Sequence, residues 1–277
     1  MVNETLEAFE VQELNPEQSA VLLDISNQAD QLMEQRWGSG FPEFTRGELD
    51  TLPYHNLNHA ETHARASAKI IEKLGFPQPY VVLAELTGRS HDLEQQKGRG
   101  QDEADSASWL GEKLRETGLF PESYIKMAEL GIIGTEPVFD DKGVPTGQVA
   151  TTQEYPDEIT AKFAKAIACG DFAHLYSPAG PYLGQMLYCE INKLDPPATG
   201  PIADLAQVPA WFAGNVRLLA NFKFALPEAE EILTGNKVAV QAHTDQLVAN
   251  LRGGEISTWD QLTKANLGFR EITSASQ

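Results

Sequence analysis

The 277-residue chain holds six histidines, and three of them, His55, His59 and His63, fall four residues apart within YHNLNHAETH. Residues four apart share one face of an α-helix. The spacing is open to three readings: an imidazole ladder able to hold a metal, a helical pair His59 and His63 with His55 in the entry loop, or an exposed polar face. One such pair is only half of a metal site. His91 and Asp92 follow an apolar segment, LAELTG, that belongs in a core. A carboxylate at the end of a buried helix is costly unless paired or bound to a cation; a solvated helix end is the plainer alternative. Asp171 continues the stripe Ile159, Phe163, Ile167 and therefore points inward, although Gly170-Asp171 also reads as a helix-ending turn.

These residues must be positioned by helices. Asn15, Pro16 and Gln18 form a helix start, with a cap, a first-turn proline and a capping-box glutamine, and that helix runs to about Trp37. Residues 38 to 53 read as loop. A second helix begins near Leu57 and stops at Gly75. A third opens at Pro79 and carries PYVVLAELTGRSHDLEQQ. KGRG, 97 to 100, is a basic loop. DEADSASWLGEKLRET is a fourth helix with acidic residues in its first turn, as the helix dipole favours, and PESYIKMAELGIIGT is a fifth. Residues 136 to 156 contain no convincing helix; they read as a functional or disordered loop, with a small hairpin around Asp141-Lys142-Gly143 as an alternative. Asp157 caps a sixth helix. Three more follow at about 181–193, 208–224 and 227–251. Strand-like alternation is nearly absent. The expected fold is all-α in a single domain over 1–277, with a core at about 50–175 and a helical extension at about 180–252.

Composition narrows the function. The formal charge of -19 gives no basic surface for nucleic acid. A phosphorylated substrate would need a metal or local positive charge. No apolar run reaches the length of a membrane span, and the acidic start lacks a signal-peptide core, so the expectation is a soluble cytoplasmic protein. Cys169 and Cys189 match no zinc or redox spacing and read as buried thiols, a disulfide being the alternative.

Taken together, His59, the doublet His91-Asp92 and the distant Asp171 resemble the HD superfamily of metal-dependent phosphohydrolases. Tyr54-His55-Asn56 followed by His59-Ala60 is similar to the YHNxxHA stretch of cyclic-nucleotide phosphodiesterases and of many bacterial HD proteins. Order and spacing agree over about residues 54 to 171. The resemblance implies an HD-domain helical bundle. It implies one divalent ion (Mn, Fe, Co, Ni, Zn or Mg) on His59, His91, Asp92 and Asp171, a donor set that suits borderline cations better than Mg. It makes His55 the acid that protonates the leaving oxygen, with Tyr54 and Asn56 at the substrate and His63 as second shell or, preferably, helix surface. The implied reaction is hydrolysis of a small phosphorylated molecule, a nucleotide being one candidate.

The sequence departs from the phosphodiesterase pattern at HDLEQ, where Gln95 replaces a histidine, and no histidine lies between Asp92 and Asp171. A histidine-built dinuclear centre is therefore unsupported; Glu136 is the one acidic substitute. Single-metal relatives use an acidic residue beyond the doublet to assist the water, for which Glu94 and Glu103 are the candidates. Arg99, before Arg65, Lys69, Arg89 and Lys97, is the candidate phosphate contact. Two rival readings stand: an HD-fold di-iron oxygenase, and a non-catalytic ligand-binding or regulatory module. The helices after Asp171 pack on the core, close a pocket or form a homodimer surface.

Overall fold

The computed structural model describes residues 10–38, 52–98, 100–141, 143, 145–194 and 200–274. Arg99, Lys142 and most of the 38–53 segment therefore lie outside the described residues. Within them the protein is all-α apart from one hairpin. The helices are α1 (Pro16–Trp37), α2 (Leu57–Lys73), α3 (Gln78–Ser90), α4 (Gln101–Thr117), α5 (Glu122–Ile133), α6 (Glu158–Asp171), α7 (Gly180–Ile191), α8 (Gln207–Asn221), α9 (Pro227–Leu233), α10 (Lys237–Gly253) and α11 (Trp259–Ser274). None is long and apolar enough to cross a membrane.

Local chemistry explains the boundaries. Asn15 accepts from the Gln18 amide at 2.9 Å and Gln18 accepts from the Asn15 amide at 3.0 Å, closing a capping box that fixes the start of α1. Asp157 accepts from the Thr160 amide at 2.7 Å and starts α6. The chain turns out of α2 at Gly75, whose φ of 78° lies in the left-handed region that glycine enters without strain.

Helix α2 is the central element. It packs between α3 and α6, and Ala60, Ala64, Ile70 and Ile71 are all buried. The crossings are made close by missing side chains. A Cβ on Gly88 of α3 would sit 2.7 Å from the Ala64 Cα and 2.9 Å from its nitrogen. A Cβ on Gly170 of α6 would sit 2.7 Å from the His63 ring and 2.0 Å from the Ser67 hydroxyl. These two glycines let three helices bring polar side chains to a common point inside the core.

The 136–156 segment does contain a hairpin, β1 (Pro137–Phe139) against β2 (Pro145–Gln148), antiparallel, with Pro137 opposite Gln148. A short 3-10 turn, Val149–Thr151, leads on to α6. Three expectations need correction. The third helix stops at Ser90, so His91 and Asp92 lie in the turn beyond it. The expected 227–251 helix is two, broken at Thr234-Gly235-Asn236. A further helix, α11, follows. Its signal was a capping box, Thr258 to Gln261: the Thr258 hydroxyl accepts from the Gln261 amide at 3.2 Å, and Gln261 Oε1 from the Thr258 amide at 3.1 Å.

The C-terminal helices join the main core at one end and build their own at the other. Leu219, Phe222, Ala229 and Val240 belong to the main cluster, while Phe212, Leu247, Leu251, Trp259 and Leu262 form a second one with Tyr188 of α7. Helix α10 contributes to both. Cys169 and Cys189 are buried thiols with no disulfide between them, as expected.

The crossing of α2 and α3 yields a test. Gly88 faces backbone, which cannot rotate away, so Gly88→Ala should destabilise the fold by about 1–3 kcal/mol, read as a lower midpoint in denaturant unfolding. An unchanged midpoint would mean that the helices part without cost.

Candidate metal centre

The site begins with Asn56. Its Oδ1 accepts from the amides of Asn58 at 3.0 Å and His59 at 3.3 Å, and its Nδ2 donates to the carbonyls of Leu52 and Pro53, both at 3.1 Å. This N-cap fixes where α2 starts. His55 therefore stays in the entry loop, and His59 enters the helix in its first turn. Asn56 is buried and its side-chain amide is committed to the backbone.

His59, His91, Asp92 and Asp171 meet at one point. His91 Nε2 lies 2.8 Å from Asp92 Oδ2, 3.2 Å from His59 Nε2 and 3.6 Å from Asp171 Oδ1. His59 Nε2 lies 3.3 Å from Asp92 Oδ2 and 3.2 Å from Asp171 Oδ1. The His91 Nδ1 stands 2.8 Å from the Gly88 carbonyl, which can only accept, so Nδ1 carries a hydrogen and Nε2 is the nitrogen left to face the cluster. Two amides orient the carboxylates: Gln95 Nε2 donates to Asp92 Oδ1 at 2.7 Å, and Gln148 of β2 donates to Asp171 Oδ2 at 3.3 Å. Gln95, the residue that departs from the HDxxH pattern, thus supports a candidate ligand instead of being one.

This donor set fits a divalent ion. Neighbouring ligand atoms around one ion at about 2.1 Å lie about 3 Å apart, as those of His59, His91 and Asp92 do. Asp92 Oδ2 is buried beside the His91 and His59 ring nitrogens, so its charge is costly unless one of them is protonated or a cation sits among them. A second grouping, His63 with His91 and Asp171, has ligand atoms within 4.8 Å of one another. The two groupings share His91, whose Nε2 is the nitrogen left to face both.

The histidine expected on the surface is not there. His63 is buried, donates from Nε2 to the Ile167 carbonyl at 2.7 Å, and meets the His91 ring at 4.1 Å between centroids, nearly perpendicular. The reason is that α2 is covered on two sides, so the turn after His59 also faces inward. Burial and the neighbouring His91 push its pKa well below the usual histidine value and keep it neutral.

A second unit stands beside the cluster. Glu190 of α7 accepts through Oε2 from the amides of Tyr54 at 2.9 Å and His55 at 3.1 Å, while its Oε1 pairs with His55 Nδ1. Burial alone would lower the His55 pKa, but Glu190, Asp92 and Asp171 overcome it and raise it to about 9. Burial opposes the ionised Glu190, yet His55 and the two amides hold its carboxyl below the usual range. At neutral pH the pair is therefore an imidazolium on a carboxylate. Sequence reading missed Glu190; its one signal was that it is the only charged residue in GPYLGQMLYCEI.

Tyr54, also expected at the substrate, is buried: its hydroxyl bonds His174 Nε2 at 2.6 Å and its ring lies 4.7 Å from that of His59. Burial and His59 lower the His174 pKa to about 3, so His174 is the neutral acceptor for this hydroxyl. Tyr54 and Asn56 are thus both buried, with their polar groups bonded inside the protein. His174 was also missed, although it follows Asp171 by three residues.

The remaining candidates divide. Glu103 accepts from the Gly100 amide at 2.6 Å and is half-buried; burial, with Asp92 and Glu136 nearby, raises its pKa. It lies within the electrostatic reach of the cluster. Glu94 is held instead by Arg36 at 2.5 Å. Among the proposed phosphate contacts, Arg65 pairs with Glu61, Arg89 with Asp30 and Lys97 with Asp105.

No protein family, curated protein or solved structure matches the chain.

The cluster predicts proton release. Burial lowers the His91 pKa but Asp92 and Asp171 raise it to about 10, so His91 holds a proton at neutral pH in the ion-free protein. A metal must displace that proton, and its affinity should weaken as pH falls below 10. Calorimetry in buffers of different ionisation enthalpy should find about one proton released per ion at pH 7 to 8. Ion binding that is independent of pH would exclude His91 as a ligand.

Proposed function

We propose that this chain is a single-metal phosphohydrolase acting on a small phosphorylated molecule. The observation that carries the reading is the adjacency of two units: a buried two-imidazole, two-carboxylate cluster, and His55 held on Glu190 with its ring 5.7 Å from that of His59. The resemblance to HD phosphohydrolases supports the same reading.

A divalent ion on His59, His91, Asp92 and Asp171 would supply Lewis acidity toward a phosphoryl oxygen and lower the pKa of a water. The chain's own residues do the rest. With Nδ1 bound to Glu190, His55 has Nε2–H left to donate to the departing oxygen, and a pKa raised to about 9 keeps that proton in place at neutral pH. Glu190 orients the ring and offsets its charge. Gln95 and Gln148 hold the two carboxylates in their rotamers. Glu103, buried near Asp92, is the group placed to take a proton on that side.

Substitutions separate the two units. Asp92→Ala should abolish metal binding and phosphoester hydrolysis together. His55→Ala should retain the metal and lower kcat by about 10²–10⁴, since proton donation is a rate contribution. Equal metal loss in both variants would show that the roles are misassigned. Two irons per chain in elemental analysis would overturn the single-metal reading in favour of an oxygenase.

The pH profile tests the dyad. Activity should fall as pH rises through the His55 pKa, at or below about 9, because the acid form is lost. Glu190→Gln removes the carboxylate that raises this pKa, so the falling limb should move to lower pH by about one unit or more. A limb that stays in place would remove Glu190 from the mechanism.

A further inference from the structure

The face of α7 that carries Glu190 is apolar for two turns before it. Leu187, Met186 and Leu183 lie three, four and seven residues before Glu190, on its side of the helix. Met186 is fully buried against Tyr54 and Tyr182. Leu183 and Leu187 pack on the same cluster but stay partly exposed, as does Leu267 of α11. Tyr54 precedes His55 in the chain, and its ring lies 4.6 Å from the imidazole. A half-open apolar patch therefore adjoins the one side chain that the phosphohydrolase reading makes a proton donor.

Charge points the same way. The groups that raise the pKa of His55 are all carboxylates, Glu190, Asp92 and Asp171. Arg65, Arg89 and Lys97 are paired with acidic residues elsewhere. A polyphosphate would bring several negative charges into this field of carboxylates. A single phosphoryl group would not.

Resting on the phosphohydrolase reading above, we propose that Leu183, Leu187 and Leu267 form a leaving-group subsite and that the substrate is a monophosphate ester of an apolar alcohol or phenol. An acid that protonates the leaving oxygen must have that oxygen at its Nε2. The carbon skeleton bonded to the oxygen then lies on the surface beside the imidazole, and the apolar surface that Tyr54 carries there runs on to Leu183, Leu187 and Leu267. In the step, the bond from phosphorus to the ester oxygen breaks and one from phosphorus to the water oxygen forms. The His55 proton goes to the leaving alcohol, and the water's proton goes to Glu103 and from there to solvent.

The probe is a series of n-alkylphosphonates, methyl to hexyl, titrated calorimetrically into Mn-loaded protein, together with turnover of phenyl phosphate, glycerol phosphate and a nucleoside triphosphate. Affinity should rise about two- to fourfold per methylene, the range for partial to full burial of each CH₂. Leu187→Asn, at a partly exposed position that accepts a polar side chain, should flatten that dependence. Phenyl phosphate should exceed glycerol phosphate by about tenfold or more in kcat/KM. Binding that ignores chain length, or a preference for the polyol ester or the triphosphate, would overturn the subsite. Chain-length-dependent binding without turnover of any ester would keep the subsite and sink the hydrolase. Turnover without chain-length dependence would do the reverse.

Discussion

Two imidazole nitrogens, from His59 and His91, lie 2.8–3.6 Å from each other and from carboxylate oxygens of Asp92 and Asp171 in the interior of this protein, with no lysine or arginine among them. Held so close in a low-dielectric setting, these groups repel unless a positive charge sits between them. In the ion-free protein that charge is a proton on His91. That proton lies between the His91 Nε2 and Asp92 Oδ2, 2.8 Å apart, and a cation at the same place would meet the same deficit. The arrangement costs folding free energy, so the surrounding structure must enforce it.

The enforcement is steric and polar. Gly88 and Gly170 remove the Cβ atoms that would keep α3 and α6 away from α2, and so set how close the three helices come. Asn56 fixes the register of α2 so that His59 reaches the centre on its first turn. Gln95 and Gln148 hold the outer oxygens of Asp92 and Asp171, and Gln148 can do this only because the hairpin returns it to α6. His63 ties α2 to the Ile167 carbonyl. Each contact is modest alone; together they leave the cluster few ways to relax apart.

Helix α7 extends this frame to His55. Its Glu190 takes three hydrogens from Tyr54 and His55, so His55 and the histidine–aspartate cluster are linked through a loop only a few residues long. Helix α7 is itself fastened to α11 by a buried amide chain: Asn266 Nδ2 donates to Gln185 Oε1 at 2.9 Å, and Gln185 Nε2 to Thr263 Oγ1 at 2.8 Å. A fully satisfied amide pair in an apolar setting specifies one register. The C-terminal helices are thus part of what places Glu190.

The helices were legible because their signals are local: the Asn15 and Asp157 caps, Gly75, and apolar spacing. The Thr258 to Gln261 capping box was equally local and was overlooked. His59, His91, Asp92 and Asp171 were legible because each breaks an apolar pattern or matches a known spacing, and the structure brings the four together. What the sequence by itself determined is the set of elements and the residue types at their inner faces. Tertiary structure alone decided that His63 is buried, since that depends on whether one neighbour or two cover α2. It alone joined Glu190 to His55 across 135 residues and His174 to Tyr54 across 120. A partner so distant leaves no periodicity to read, because the packing of helices, and not the spacing along one of them, sets which side chains meet.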